Sequence, residues 1–365
     1  MNKTSIEWTD YSSNLIKYRD PDGKVVYGCV KVSPGCANCY ASAISKRFSG
    51  GEFTASRQKT LTPFFDEEEA RRILRSRATG KKVFVGDMTD VFGEWVPDEM
   101  LDRMFAVFAL RPDLVFQVLT KRPERMRAYQ ASEDPDRYTC IDEAASDISG
   151  ESGVGVVTRW PLPNVWLGVS VEDQAAADER IPHLLATPAA VRFLSCEPLL
   201  EELSIFNSPI DADAGAPVGL IRRDVQLKPH DVNGPAEYDA LWEPGIDWVI
   251  VGGESGPGAR PCDVGWIRDI VGQCRAAAVP VFVKQLGARP VRTVRGSWIN
   301  ELQRHGPDIQ QPYGRAACWA CRTEECKLLW PGVPPHVKRW LPLRDRKGGD
   351  MSEWPEDLRV REYPS

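Results

Sequence analysis

No run of apolar residues in this 365-residue chain approaches the roughly 20 needed for a bilayer-spanning helix. The opening segment MNKTSIEWTD also lacks the apolar stretch of a secretory signal. These two absences predict a cytoplasmic protein with no membrane partner. In that compartment ten cysteines are metal ligands or free thiols rather than disulfides. No internal repeat is visible at the level of sequence. Charge of one sign does not dominate either: 46 Lys and Arg stand against 52 Asp and Glu, a net of −6. Residues 1–130 carry 21 basic and 17 acidic side chains, or +4, leaving −10 for the remainder. That mild bias permits contact with a phosphate backbone without demanding it. Hydrophobic content of 42% and charged content of 27% are those of an ordinary globular chain, long enough for one large α/β domain or two smaller ones.

What is present begins with three cysteines in eleven residues, Cys29, Cys36 and Cys39, on a Gly- and Pro-bent loop followed directly by Tyr40. Thiolates this close together suit zinc or an iron–sulfur cluster. Structural zinc takes four protein ligands, and no fourth Cys or His lies nearby. Three cysteines leave one iron of a four-iron cluster open, so the count leans toward a reactive cluster.

Short β-branched or aromatic runs alternate with helical patterns along the chain. Residues 83–87, 114–119, 165–169, 191–194, 248–251 and 281–283 read as strands. Between them, helices are expected from Pro97 and Asp98, near Pro123–Tyr129, over Gln174–Ala186 and at Val264–Ala277. This spacing predicts an α/β fold with right-handed crossovers and a parallel sheet, closed or part-closed as a (β/α)6-type barrel over residues 1–286. Residues 130–162 and 203–245, polar and rich in Asp, Gly and Pro, read as loop-rich insertions. Residues 287–365 read as a cysteine-containing C-terminal segment.

Each expected strand ends in chemistry. Asp87, Thr89 and Asp90 follow the first; Thr120 and Lys121 the second; Ser170 and Glu172 the third. Ser195, Cys196 and Glu197 follow the fourth; Gly252, Gly253, Glu254 and Ser255 the fifth; Lys284 and Gln285 the last. In parallel barrels the site lies at this C-terminal mouth, and six polar ends in series point to one shared pocket. Lys121 and Lys284 there either hold a substrate phosphate or carboxylate or form ion pairs with Asp90, Glu172 or Glu197. Arg192, within a strand, reads as a structural ion-pair partner. Cys196 reads either as a hydrogen donor to the reaction or as a small buried hydrophobe. The glycines at 252 and 253 either admit a ligand to the backbone or make a tight turn.

The runs GCVKVSPGCANCYA, GDMTDVFGEWVP, LTKRPERM, SCEPLL, DWVIVGGESGPGARP, VFVKQLG and DRKGGDMSEWPEDLRVREYP together resemble the three-Cys-motif family first named from bacteriophage proteins. That family is similar to a divergent branch of the radical S-adenosylmethionine (SAM) enzymes, including the spore photoproduct lyase group. The spacing here is C-x6-C-x2-C, where those enzymes use C-x3-C-x2-C. The resemblance implies a radical-SAM barrel in which Cys29, Cys36 and Cys39 hold a [4Fe–4S] cluster whose fourth iron binds SAM. It further implies SAM contacts from Asp87, Thr89, Asp90, Ser170, Glu172, Gly252, Gly253, Glu254 and Lys284, with Lys121, Cys196 and Glu197 in catalysis. An electron donor of flavodoxin or ferredoxin type would be its partner.

A second group, Cys318, Cys321 and Cys326, has the C-x2-C spacing of zinc or an auxiliary iron–sulfur cluster, with His305, His336, Cys262 or Cys274 as the fourth ligand. Unligated thiols are the plain alternative, and Cys140, Cys262 and Cys274 are otherwise isolated. Basic clusters at Arg71–Lys82 and Lys121–Arg127 either track a nucleic-acid backbone or pair with carboxylates on solvated helices. Twelve tryptophans offer base-stacking platforms or core. The resemblance to a DNA-lesion lyase group and the phage connection imply a slight tilt toward a nucleic acid or nucleotide substrate. A non-catalytic zinc or iron–sulfur adaptor that binds a partner protein is the alternative.

Overall fold

The computed structural model describes residues 1–48, 51–131, 136–153, 155–205, 245–295 and 336–364. Cys318, Cys321, Cys326 and His305 lie outside the described residues, as does most of the expected 203–245 insertion.

The chain opens with β1 (Asn2–Lys3) and β2 (Tyr11–Ser13), paired antiparallel at one sheet edge. A small antiparallel sheet follows, in which β3 (Ile16–Arg19) is flanked by β4 (Val25–Val26) and β5 (Thr62–Phe65). Between β4 and β5 lie the cysteine loop, α1 (Tyr40–Phe48) and the single turn α2 (Ala55–Gln58). From α3 (Glu67–Leu74) onward strand and helix alternate: β6 (Lys82–Val85), α4 (Asp98–Ala109), β7 (Val115–Thr120), α5 (Pro123–Gln130) and α6 (Asp136–Ser149). Next come β8 (Val165–Ser170), α7 (Gln174–Leu185), β9 (Val191–Cys196), β10 (Trp248–Gly252), β11 (Cys262–Asp263), α8 (Val264–Ala276) and β12 (Val281–Gln285). β13 (Pro290–Arg295) and β14 (His336–Trp340) pair antiparallel beside β11.

The main sheet runs β1-β2-β6-β7-β8-β9-β10-β12 and is parallel except at β1. It curls into a half-barrel. The six strands expected from sequence are all present, and β2 joins them as a seventh parallel strand. A strand of only three residues carries too little periodicity to be read in advance. The helices start where their caps place them. Asp173 accepts from Ala176 N–H at 2.8 Å, and Asp263 accepts from Gly265 N–H at 2.9 Å. The loop reading of 130–162 is corrected, because α6 occupies its middle. There Arg137 and Tyr129 both donate to the buried Asp102 at 2.8 Å, so tertiary contacts order a segment whose composition reads as loop.

Side chains alternate across each strand, which gives the sheet two faces. Val83, Val85, Phe116, Val118, Leu167, Val169, Leu194, Val249, Val251 and Val283 face the helices in the large core. Phe84, Phe193, Trp248, Ile250 and Phe282 line the concave face with Trp8, in a separate aromatic cluster. The last residues close the floor of this trough. Val283 N–H donates to Val360 O at 2.9 Å, and Glu362 N–H to Val281 O at 3.0 Å, which extends the β12 edge. Tyr363 then reaches Glu7 O at 3.3 Å, with the Lys82 ammonium 4.3 Å from its ring centroid. The end of the chain thus spans the gap between the sheet's two edges. The boundary expected at residue 286 is bridged by these contacts.

Candidate functional site

The cysteine loop lies across the C-terminal mouth of the half-barrel, held there by the strand ends. Over β6, Thr89 Oγ1 donates to Gly28 O at 2.6 Å, the Asp90 backbone N–H reaches the Cys29 sulfur, and Tyr40 OH donates to Asp87 O at 2.6 Å. Over β8, Gly35 N–H and the Ser33 hydroxyl both reach the Glu172 carboxylate, the first at 3.3 Å. Beyond β10, Asn38 Nδ2 donates to Glu254 Oε2 at 2.9 Å, and Arg260 Nη1 donates to Pro34 O at 2.9 Å. Local sequence accounts for the loop's shape. Pro34 opens a one-turn 3-10 helix ending at Cys36, and α1 starts immediately after Cys39. Gly35 is required by close approach: a Cβ there would sit 2.9 Å from the Glu172 carboxyl and 3.0 Å from Lys121 Nζ.

Under the loop the charged groups sort into pairs. Lys121 Nζ lies 2.7 Å from Glu172, whose fully buried carboxylate also takes Arg180 at 3.0 Å. Burial alone would push Glu172 up, but the two cations outweigh it and hold the carboxyl below its ordinary range. Glu254 behaves likewise: burial raises it, and Arg260 at 2.7 Å with Asn38 brings it down. Asp90 differs, because burial wins over the hydrogen bonds from Thr120 Oγ1 at 2.7 Å and Lys121 N–H at 3.0 Å. Asp87 is also raised by burial, against hydrogen bonds from Asn14 and Ser12.

Glu197 is the exception that bears on ligands. Burial pushes its carboxyl up, Lys284 at 3.2 Å from Oε2 opposes this, and Oε1 is buried with no partner. A Cβ on Gly252 would meet that same Oε1 at 2.6 Å. A carboxylate oxygen with spare acceptor capacity, beneath a backbone with no side chain, accommodates an ammonium or hydroxyl group. Gly253 is fixed differently: a Cβ would strike Leu286 O at 2.5 Å, so backbone packing against the β12 end requires glycine.

The expected residues therefore divide. Asp87, Thr89, Asp90, Glu172, Gly252, Glu254, Lys121, Lys284 and Glu197 gather with Cys29, Cys36 and Cys39 at one mouth, and Ser170 lies buried at its β8 rim. Lys121 and Lys284 are paired with Glu172 and Glu197, so the ion-pair reading of both holds. Cys196 does not join them. It alternates with Ser195, faces the helices and is fully buried in the large core, where its thiol is pushed well up by burial. Cys274 is buried on α8, Cys262 is buried in β11, and Cys140 is exposed. Arg192 Nε donates to the carbonyls of Leu184 and Thr187 at the C-terminal end of α7. The basic clusters are largely spent on carboxylates. Arg71 and Arg72 pair with Glu68 and Glu69 one turn back, Arg122 with Glu94, and Arg125 with Asp98. Sequence reading missed Asn38, Arg180 and Arg260. Arg260 closes the Gly-rich 252–258 run, which was the available signal.

Burial pushes the Cys29 thiol up to about 12, with Asp90 and the other two cysteines adding to the rise. The donor set is soft and sits at the mouth, which fits a thiophilic metal group. Among the described residues no three His, Cys, Asp or Glu side chains are gathered as a single-ion site. No helix is long and apolar enough to cross a membrane among those residues.

A family model described as "Protein of unknown function (DUF5131)" matches residues 3–312, and the chain belongs to that family. No curated protein and no solved structure matches it.

Proposed function

We propose that this chain is a radical-SAM enzyme that holds a [4Fe–4S] cluster on Cys29, Cys36 and Cys39 and works on a nucleic acid or nucleotide. The observation that carries the reading is the pinning of the three-cysteine loop over the polar mouth of a parallel half-barrel, through contacts to β6, to β8 and to the segment after β10. A cluster held by Cys29, Cys36 and Cys39 would supply one-electron reduction of bound SAM, the external electron donor restoring it. The protein's own residues provide placement. Glu197 Oε1 accepts an amino group, and Lys284 balances that carboxylate and offers a cation to the neighbouring carboxyl. Gly252 clears the approach to Glu197. Asp87 and Ser170 border the same space, while Thr89 and Asp90 set the position of Cys29. Glu172, neutralised by Lys121 and Arg180, and Glu254, neutralised by Arg260, hold the loop without adding net negative charge beside the thiolates. Cytoplasmic location and a flavodoxin- or ferredoxin-type electron donor belong to the same reading. Zinc or a second cluster at Cys318, Cys321 and Cys326 would be a separate centre.

Anaerobic purification tests this. A brown protein containing iron and sulfide, bleached by dithionite and converting SAM to 5′-deoxyadenosine, is the expected result. Colourless protein with stoichiometric zinc after iron–sulfide reconstitution overturns the reading and leaves the metal-binding adaptor.

A further inference from the structure

We propose that the outer face of α1, together with Lys31 of the cysteine loop, is the surface on which an acidic electron-transfer protein docks. Its part in electron delivery rests on the cluster reading above; its capacity to bind does not. A surface helix ordinarily buries its large apolar side chains, and α1 does the reverse. It turns the small residues Ala41, Ser42 and Ser45 inward, where Ser42 Oγ accepts from Phe53 N–H at 3.2 Å. Tyr40, Ile44 and Phe48 recur every four positions along its outer stripe and stand 50%, 40% and 70% exposed. Packing within the chain thus accounts for the small face and leaves the large one open.

Single apolar side chains on a surface are ordinary, but a contiguous group marks an interface. Of the eight large apolar residues exposed among the described residues, five fall between Val25 and Phe48. The charge around them selects the partner. Residues 27–61 carry five cations, Lys31, Lys46, Arg47, Arg57 and Lys59, against one carboxylate, Glu52, in a chain whose net charge is −6. Lys46 bonds Glu52 at 2.6 Å and, with Lys31 also near, holds that carboxyl below its ordinary range, so the one acid is neutralised. Arg47 borders the stripe, its guanidinium 5.1 Å from the Phe48 ring centroid. An apolar centre with a cationic rim complements a protein whose contact face is apolar within an acidic rim. A nucleic-acid backbone needs cations where this surface offers Glu52 and the aliphatic Ile44.

Position gives the partner its chemistry. Tyr40 is joined to Cys39 by a peptide bond, and α1 rises about 12 Å from Tyr40 to Phe48. A protein seated on the stripe therefore stands within about one short helix of the three thiols. A reduced flavin or iron–sulfur donor held there loses one electron as the cluster gains it, with no bond made or broken.

Titration calorimetry on the full chain, with a flavodoxin and a plant-type ferredoxin as acidic probes, tests the surface. Saturable binding of at least one probe is expected, weaker at high salt than at low. Ile44→Ser combined with Phe48→Ser should weaken it about tenfold, and Lys46→Glu combined with Arg47→Glu by at least as much. All four residues are exposed, so both double variants should melt with the parent and keep its metal content. Phe48→Tyr, which keeps a ring, should bind as the parent does. In the iron-loaded protein, SAM cleavage driven by the reduced probe should fall with binding in both double variants, while cleavage driven by dithionite stays unchanged. No saturable binding by either probe, or binding undiminished in either double variant, overturns the proposal. So does a single-stranded oligonucleotide that binds through these residues when neither protein does. A parent that dimerises where the Ile44→Ser, Phe48→Ser variant is monomeric also overturns it, because the stripe then belongs to a second copy. Colourless protein that binds a probe through these residues overturns the cluster reading alone; brown protein that binds neither probe overturns the docking surface alone.

Discussion

The two faces of the central sheet come from alternate residues of the same strands, and they pack differently: a large core rich in aliphatic side chains on the helix side, a small aromatic cluster on the concave side. On the helix-facing side buried charges are drawn into bonds at one end yet not saturated, since Arg137 Nε and Arg180 Nε go without partners. Arg192 caps the end of α7, and Thr120 donates to Asp90. On the concave side Trp8 Nε1 and both Gln117 amide atoms go without partners, and Glu197 Oε1 does so at the mouth above them. An unmade hydrogen bond in a buried place costs free energy on either face. The division that bears on function is between the buried core and the polar mouth, where the cysteine loop is held.

The largest expected effect tests that division directly. Cys36→Ala should abolish iron binding and SAM cleavage, whereas Cys196→Ala should keep both and cost about 1 kcal/mol of stability as a small core deletion. Iron analysis and urea melts on the pair check this; loss of iron in Cys196→Ala would erase the difference between core and mouth. Next in size is Glu172→Leu, which strands Lys121 and Arg180 without their shared carboxylate. About 3–5 kcal/mol should be lost in chemical denaturation, because a buried charge is left uncompensated.

The pH dependence of the two mouth carboxylates sharpens the comparison further. Glu172 is held below its unfolded value, so its stabilisation is full above the ordinary carboxylate range and fades as pH falls through its lower folded value. Glu197 is raised, so the native state binds its proton first, and stability from this group grows as pH falls through the raised value. Stability against pH for Glu172→Gln and Glu197→Gln should therefore lose contributions of opposite slope. Parallel curves would show that one of the two environments is misassigned. Gly252→Ala should cost about 1–3 kcal/mol, since its Cβ would meet Glu197 Oε1 at 2.6 Å. A thermal melt of that variant, repeated with Glu197→Ala added, should recover part of the loss. Smallest is Lys46→Ala, which breaks a solvent-exposed pair with Glu52 and should leave the melting temperature unchanged.

Much of this molecule was legible before folding. Residues such as Val83, Val85, Val249 and Val251 mark buried strands by composition, and Pro97, Asp98 and Pro123 mark helix starts by chemistry that acts over a few residues. The polar residues after each strand were legible for the same reason. The three-residue strand β2, the helix α6 within a polar segment and the closure of the floor by Tyr363 were not, because each depends on partners far along the chain. Cys196 shows the limit well: its place after a strand suggested the mouth, but one step of alternation turns it into the core.

By itself, the sequence determined that three thiols share one bent loop and that a series of parallel strands ends in polar groups. Both are local facts, written in spacing and periodicity. Only the tertiary structure decided that the loop lies over those ends. The contacts that decide it join Gly35 to Glu172, Asn38 to Glu254 and Arg260 to Pro34, across 137, 216 and 226 positions. Nothing in the spacing of a chain encodes such contacts, because they arise only when the curled sheet brings the ends of β6, β8 and β10 around one opening.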